Sequence, residues 1–163
     1  GDYDFVKDVM NEIGVKIEFR QVAERPGKPL AFGTIDGKLV FGLPGNPVSS
    51  MITFEQFVRP SILKITGHNK IFRRAIKATV TEDIKKKEGL TYFIRGRVSY
   101  EKGEFTVTTT GEQGSGILKS MVLANGIIIL PEDVISVATG DEVTVQLIDS
   151  SLEMTAQPEY LKH

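Results

Sequence analysis

Apolar residues at Phe5, Val6, Val9, Met10 and Ile13 share one face of a 3.6-residue period and predict a helix over residues 4–13. Asp2 or Asp4 can cap its start, and Gly14 suits its end. From Val15 the period shortens to two, and residues 15–19 read as a strand. Two apolar runs, 30–35 and 39–43, flank Asp36-Gly37, the dipeptide favoured in a type I′ turn, and predict a hairpin. Gly42-Leu-Pro-Gly-Asn-Pro-Val48 then leads into a long apolar stretch ending near Ile65. Asn46 is a natural N-cap, and Pro47 takes the first helical position, where a missing N–H does no harm. Val48, Met51, Ile52, Phe54, Phe57, Val58, Ile62 and Leu63 surround this helix with apolar groups, which predicts burial on most faces. Pro60 predicts a kink or a break, and Gly67 the stop.

Beyond Gly67 the pattern turns mostly to strands. Residues 71–81, 92–100, 105–110, 127–130 and 143–148 are rich in Val, Ile, Thr, Tyr and Phe, with Gly and charged turns between them. Five such strands in about 80 residues suggest a small barrel or a sandwich. Residues 115–126 interrupt them and read as a short helix, with Ser115 as cap and Asn125-Gly126 as stop. The run Lys85–Lys87 reads as a solvated turn, and residues 149–163 as a polar, frayed tail.

The 163 residues allow one large domain or two small ones. Twenty Lys and Arg against 21 Asp and Glu give a net charge of −1, without the basic excess of a phosphate-tracking nucleic-acid binder. No apolar run is long enough to span a membrane, and the first residues do not form a signal peptide. With no cysteine there is no disulfide, thiolate metal site or cysteine nucleophile, which fits a cytoplasmic protein. Two histidines, His68 and His163, leave no histidine-rich zinc site.

Several residues admit both a bland and a chemical reading. Leu43-Pro-Gly-Asn-Pro-Val-Ser49 is an ordinary strand-to-helix turn with a cap, or a rigid loop that gathers backbone N–H groups, a helix N-terminus and the Ser49 hydroxyl around an anion. Arg25-Pro-Gly-Lys-Pro29 is a solvated surface turn, or a rigid loop presenting two cations to an oxyanion. Asp2 and Asp4 cap a helix, or Asp4 holds Mg2+ through a carboxylate. Arg95 lies in a strand, where an arginine is usually exposed.

Pro26-Gly-Lys-Pro-Leu-Ala-Phe-Gly33, Phe41-Gly-Leu-Pro-Gly-Asn-Pro-Val-Ser49 and Phe57-Val-Arg-Pro60 resemble the molybdopterin molybdenumtransferase family, the MoeA family that includes the E domain of gephyrin. Gly114-Ser-Gly-Ile-Leu-Lys-Ser-Met121, Ala124-Asn-Gly126 and Leu130-Pro131 resemble that family's C-terminal domain, in the same order. The resemblance implies an α/β plus all-β architecture. Residues 1–67 would be the second half of a molybdopterin-binding α/β domain, 68–148 a C-terminal β-barrel, and 149–163 a tail. It also implies a C-terminal fragment, inactive alone, of a cytoplasmic homodimer that handles small molecules and neither nucleic acid nor membrane.

The implied activity is the last step of molybdenum cofactor biosynthesis: adenylated molybdopterin and molybdate bind, the adenylate is cleaved with Mg2+, and the metal enters the dithiolene. Through the resemblance, Asp4 matches a signature active-site aspartate, a candidate catalytic residue and Mg2+ ligand. Arg25 and Lys28 match two basic residues of the oxyanion site, and Ser49 a serine at the helix start. Pro44, Gly45, Asn46 and Pro47 match the shaped loop, and Arg95 and Ser120 match barrel residues that face molybdate. The family often has Lys in place of Arg25, which changes geometry while keeping charge. It has Lys or Arg in place of Gln21, where the charge is lost. A non-catalytic molybdopterin-binding or protein-interaction scaffold module is the rival reading, as gephyrin's E domain also serves as a scaffold.

Overall fold

In the computed structural model, which describes residues 5–111, 113, 118–150 and 152, the amphipathic start of the chain forms helix α1 (Phe5–Glu12). Met10 is buried, and Phe5, Val9 and Ile13 are exposed. Strand β1 (Lys16–Phe19) follows, then a long connection containing the two-residue extended stretch β2 (Glu24–Arg25) and a cis Arg25-Pro26 bond. The predicted hairpin is β3 (Ala31–Ile35) and β4 (Lys38–Gly42). Asp36 and Gly37 both take positive φ, 48° and 73°, as a type I′ turn demands. The strands form an antiparallel sheet in the order β1-β3-β4. Met10, Val15 and Ala31 make its small core, with Val6, Ile17, Ile35 and Val40 against it. The Phe32 ring lies between Phe19 and Phe41, with centroids 5.4 and 5.0 Å away.

The apolar stretch after Asn46 is three helical pieces: α2 (Pro47–Thr53), a π-helical turn (Phe54–Val58) and α3 (Arg59–Ile65). Pro60 explains the middle piece. It has no N–H for the carbonyl four residues back, and its ring crowds that carbonyl. The chain widens by one residue per turn just before it, and Arg59 N–H donates to the Phe54 carbonyl. The expected disruption at Pro60 therefore falls in the preceding turn. Burial on most faces is not observed. Val48, Ile52 and Pro60 are buried, but Met51, Phe54, Ile62 and Ile65 are exposed, the last at 70%. A three-stranded sheet offers too little surface to cover a helix that is apolar all round.

The chain divides into two compact units, Gly1–Phe72 and Arg73–His163. The second is built on β5 (Ala75–Val80), β6 (Ile84–Lys85), β7 (Thr91–Glu101), β8 (Glu104–Thr109), helix α4 (Leu118–Leu123), β9 (Gly126–Leu130), β10 (Ser136–Val137) and β11 (Glu142–Leu147). Five strands pair in the ring β7-β8-β5-β11-β9, and β9 returns to β7 to close a barrel. The β5–β8 pair is parallel and the rest antiparallel. Alternate residues point inward: Ile76, Ala78 and Val80 from β5, Ile94 and Val98 from β7, Ile128 and Leu130 from β9, Val143 and Val145 from β11. Gly96 and Gly126 are cross-strand partners. A Cβ on Gly126 would stand 2.7 Å from Val145 Cγ1 and 2.8 Å from Val98 Cγ2, so the interior is filled to that backbone.

Outside the ring, β6 and β10 pair. Lys86 is not a solvated turn residue. Its Nζ donates to the carbonyls of Leu90 (3.0 Å) and Glu132 (3.1 Å) and lies 5.3 Å from the centre of the Tyr92 ring. Asn125 follows α4 as expected, and its amide engages both Val98 N–H (2.6 Å) and Val98 C=O (2.9 Å). The proposed cap Ser115 and most of the tail lie outside the described residues.

Candidate functional site

In the first unit the connection between β1 and β3 is folded back on itself. Val22 N–H donates to the Lys28 carbonyl at 3.0 Å, and this closes a loop with Arg25 and Lys28 exposed on it. Glu24 is the loop's inward residue, only 4% exposed. Gly27 has φ +114°, and its missing Cβ makes room for the Glu24 carboxyl. That Cβ would also stand 2.6 Å from Thr53 Cγ2, so the loop rests on the last residue of α2. Glu24 Oε1 is buried with no hydrogen-bond partner, and burial pushes the carboxyl pKa up to about 7. Reading the sequence missed Glu24. The only signal was an acid set directly before the Arg25-Pro-Gly-Lys-Pro29 loop.

At the start of α2, Asn46 caps as expected. Its Oδ1 accepts from Val48 N–H (3.1 Å) and Ser49 N–H (3.2 Å), and the Ser49 hydroxyl reaches it at 3.5 Å. Ser50 N–H bonds the Asn46 carbonyl, and the Ser50 hydroxyl donates to the Pro44 carbonyl. The expectation of free N–H groups gathered at this end is thus corrected for Val48 and Ser49, whose amides the cap itself satisfies. Pro44 and Ser49 are buried, Asn46 is half-buried, and Gly45 and Pro47 are exposed. Thr53 Oγ1 donates to the Ser49 carbonyl at 2.8 Å, which links the helix start to the residue under the Gly27 loop.

In the second unit Arg95 and Ser120 meet. Arg95 is 1% exposed, which overturns the expectation of an exposed strand arginine. Its neighbours Ile94 and Gly96 are buried and Arg97 is exposed, so strand parity does point Arg95 outward. Helix α4 covers it there, and Arg95 Nε donates to Ser120 Oγ at 3.0 Å. Burial lowers the guanidinium's pKa. Gln113 clamps the backbone of Arg95, accepting from its N–H (2.9 Å) and donating to its C=O (3.2 Å). Thr110 Oγ1 lies 3.0 Å from the Ser120 carbonyl and 3.3 Å from that of Arg95. Gln113 and Thr110 carry no motif, and nothing in the sequence marked them. Helix α4 buries Ser120 and exposes Leu118, Val122 and Leu123, the reverse of an ordinary amphipathic helix.

Asp4 lies outside the described residues. Among the described residues, no group of three or more His, Asp or Glu could hold a metal ion. No described helix is long and apolar enough to cross a membrane.

Two family models match the chain: a probable molybdopterin binding domain over residues 1–64, and the MoeA C-terminal region (domain IV) over residues 77–148. The molybdopterin molybdenumtransferase of Staphylococcus epidermidis is 34% identical over 151 residues, 93% of this chain and 36% of that protein. The molybdopterin molybdenumtransferase of Haemophilus influenzae is 36% identical over 148 residues, 90% of this chain and 36% of that protein. The chain thus spans about a third of the length of these curated relatives. A molybdenum cofactor biosynthesis protein from Pyrococcus furiosus superposes with a TM-score of 0.68 at 31% identity, covering 82% of this chain and 46% of that one. A molybdopterin biosynthesis MoeA protein from Pyrococcus horikoshii gives 0.69 at 30% identity, covering 90% of this chain and 34% of that one.

Proposed function

From the premise that the chain belongs to the MoeA family of molybdopterin molybdenumtransferases, we propose that it supplies part of the surface on which molybdate is delivered to adenylated molybdopterin with loss of AMP. Residues 1–67 serve as the second half of the molybdopterin-binding α/β domain and 68–148 as the barrel domain, within a cytoplasmic homodimer. The observation that carries the reading is the Arg25–Lys28 loop. It is closed by a backbone hydrogen bond, rests on α2, and displays two cations three residues apart. Charge-assisted hydrogen bonds from such cations suit a tetrahedral dianion.

The roles divide by chemistry. Arg25 and Lys28 bind and orient the oxyanion, and the Ser49 hydroxyl donates to it. Pro44, Gly45, Asn46 and Pro47 hold the approach to α2 rigid. Within the barrel unit, taken by itself, Arg95 and Ser120 are a buried hydrogen-bonded pair and a second candidate for oxyanion contact. The pterin supplies the sulfur ligands, so the absence of cysteine is no obstacle. Asp4 is the residue that would hold Mg2+, and among the described residues no cluster of three or more His, Asp or Glu would hold the ion.

Calorimetric titration of the chain with molybdate tests the binding claim. Lys28→Gln is expected to weaken affinity at least about tenfold, from the 1.5–3 kcal/mol of a hydrogen bond to a charged group. Equal binding by the wild type and Arg25→Gln/Lys28→Gln would remove the loop from the site. AMP release from adenylated molybdopterin with molybdate and Mg2+ is expected from the chain restored to the full length of its relatives and not from this chain alone.

The scaffold reading is favoured by one observation, the exposed Leu118, Val122 and Leu123 on α4. It gains if the full-length form folds and dimerises but releases no AMP.

A further inference from the structure

We propose that Glu24 is a proton-bearing positioning residue of the Arg25–Lys28 loop, whose inward carboxyl must be neutral for the loop to hold a dianion, so that anion binding is coupled to uptake of one proton. The proposal rests on the oxyanion reading of that loop and adds a mode of regulation to it.

The geometry supports it in three ways. Glu24 is 4% exposed and occupies the space left by the missing Cβ of Gly27, within the same closed loop that presents Arg25 and Lys28 outward. Its Oε1 is buried with no hydrogen-bond partner, a placement that penalises a carboxylate far more than a carboxylic acid. Within its own unit, the elements against it are the loop, which brings Arg25 and Lys28, and α2, which carries no charged residue. Desolvation is accordingly what raises its pKa to about 7, with no neighbouring charge as cause.

Two states follow. With the proton on, the loop has two cations and no internal anion, and their combined field reaches the ligand. With the proton off, a negative charge sits inside the loop and repels a dianion held on its outer side. A bound dianion in turn disfavours the second negative charge and retains the proton. The balance is one proton taken up per anion bound by the ionised form, with no other group changed. Affinity then falls as pH rises through the Glu24 pKa, by up to tenfold per pH unit.

The test has two arms, both on the whole chain. Carbon-13 NMR titration of the glutamate carboxyl carbons, with the Glu24 signal assigned by its loss in Glu24→Gln, is expected to show an inflection near neutrality. An inflection below about pH 5, in the ordinary glutamate range, overturns the proposal. Calorimetric titration with molybdate at pH 6.5, 7.5 and 8.5, in two buffers of different ionisation enthalpy, reads affinity and proton uptake together. The wild type is expected to lose roughly tenfold or more over this range and to take up protons at pH 8.5. Glu24→Gln, neutral at every pH, is expected to keep its pH 6.5 affinity throughout. A pH-independent wild type without proton uptake overturns the coupling even if the variant does not fold, and so does an identical pH profile in a folded variant. Absence of molybdate binding at every pH in both proteins overturns the oxyanion reading itself and the coupling with it. A near-neutral Glu24 inflection with no binding identifies that outcome as a failure of the function rather than of the carboxyl's ionisation.

Discussion

Arg95 Nε donates to Ser120 Oγ at 3.0 Å, and each of the two residues is 1% exposed. The bond fastens α4 to the outer face of β7 through polar atoms, while the helix's apolar side chains Leu118, Val122 and Leu123 stay in water. Ser120→Ala deletes the acceptor and leaves part of a buried guanidinium unmatched. A loss of about 1–3 kcal/mol is expected in urea denaturation. Ser120→Thr keeps a hydroxyl and is expected to recover part of it. If the pair also serves the ligand, molybdate affinity falls in Ser120→Ala beyond what unfolding accounts for.

Glu24 predicts a pH dependence of stability. Its folded pKa is raised to about 7 from an ordinary 4.5. Below 4.5 both folded and unfolded chains hold the proton. Between 4.5 and 7 only the folded chain does, so its contribution to stability falls as pH rises and levels off above about 7. Comparing wild type with Glu24→Gln by denaturant titration at pH 5 and pH 8 isolates that contribution. The wild type is expected to lose of the order of 2 kcal/mol more than the variant over this interval.

Asn46 satisfies the amides of both Val48 and Ser49. Asn46→Ala is expected to destabilise the chain by about 1 kcal/mol in thermal melts, and Asn46→Asp to be close to neutral. The two variants then separate capping from any demand for the amide group at the ligand.

Gly126→Ala places a methyl 2.7 Å from Val145 Cγ1 and 2.8 Å from Val98 Cγ2, inside a filled barrel. A cost of about 1–3 kcal/mol is expected, measured as a drop in denaturation midpoint. Gly45→Ala meets nothing within 4 Å. It is expected to leave stability within about 0.5 kcal/mol, so any loss of molybdate affinity there reads directly on the site.

Much of this fold was legible because its elements obey their periods. The hairpin around Asp36-Gly37, the cap at Asn46 and the five barrel strands are local patterns, and local chemistry settles them. The π turn at Phe54–Val58 was not, because one widened turn leaves the spacing of apolar residues almost unchanged. Arg95 was misjudged because strand parity does point it outward, and only α4, 25 residues further along the chain, covers it. Glu24 was missed for the same kind of reason. Its carboxyl lies where a side chain on Gly27 would be, in a loop that rests on Thr53 of α2, and neither residue marks the acid itself. The motif residues of the candidate site stood out because prolines and glycines fix a loop locally. The residues that support them, Gln113 and Thr110, are ordinary in type and gain their roles only through tertiary contact.

The order of the ring bears on how the chain emerges from the ribosome. Strand β11 is the last of the five to be made, yet it sits between β5, the first, and β9, the fourth. Until Glu142–Leu147 arrives, β5-β8-β7-β9 is an open ladder with a gap one strand wide. At about 5–20 residues per second, translating from Ala75 to Leu147 takes about 4–15 s. For that interval β5 presents an unpaired edge to any neighbouring nascent chain, and from Leu130 onward β9 presents a second one. A translation product that stops short of Glu142 keeps both edges for its lifetime, so β11 is the keystone on which solubility of the barrel turns.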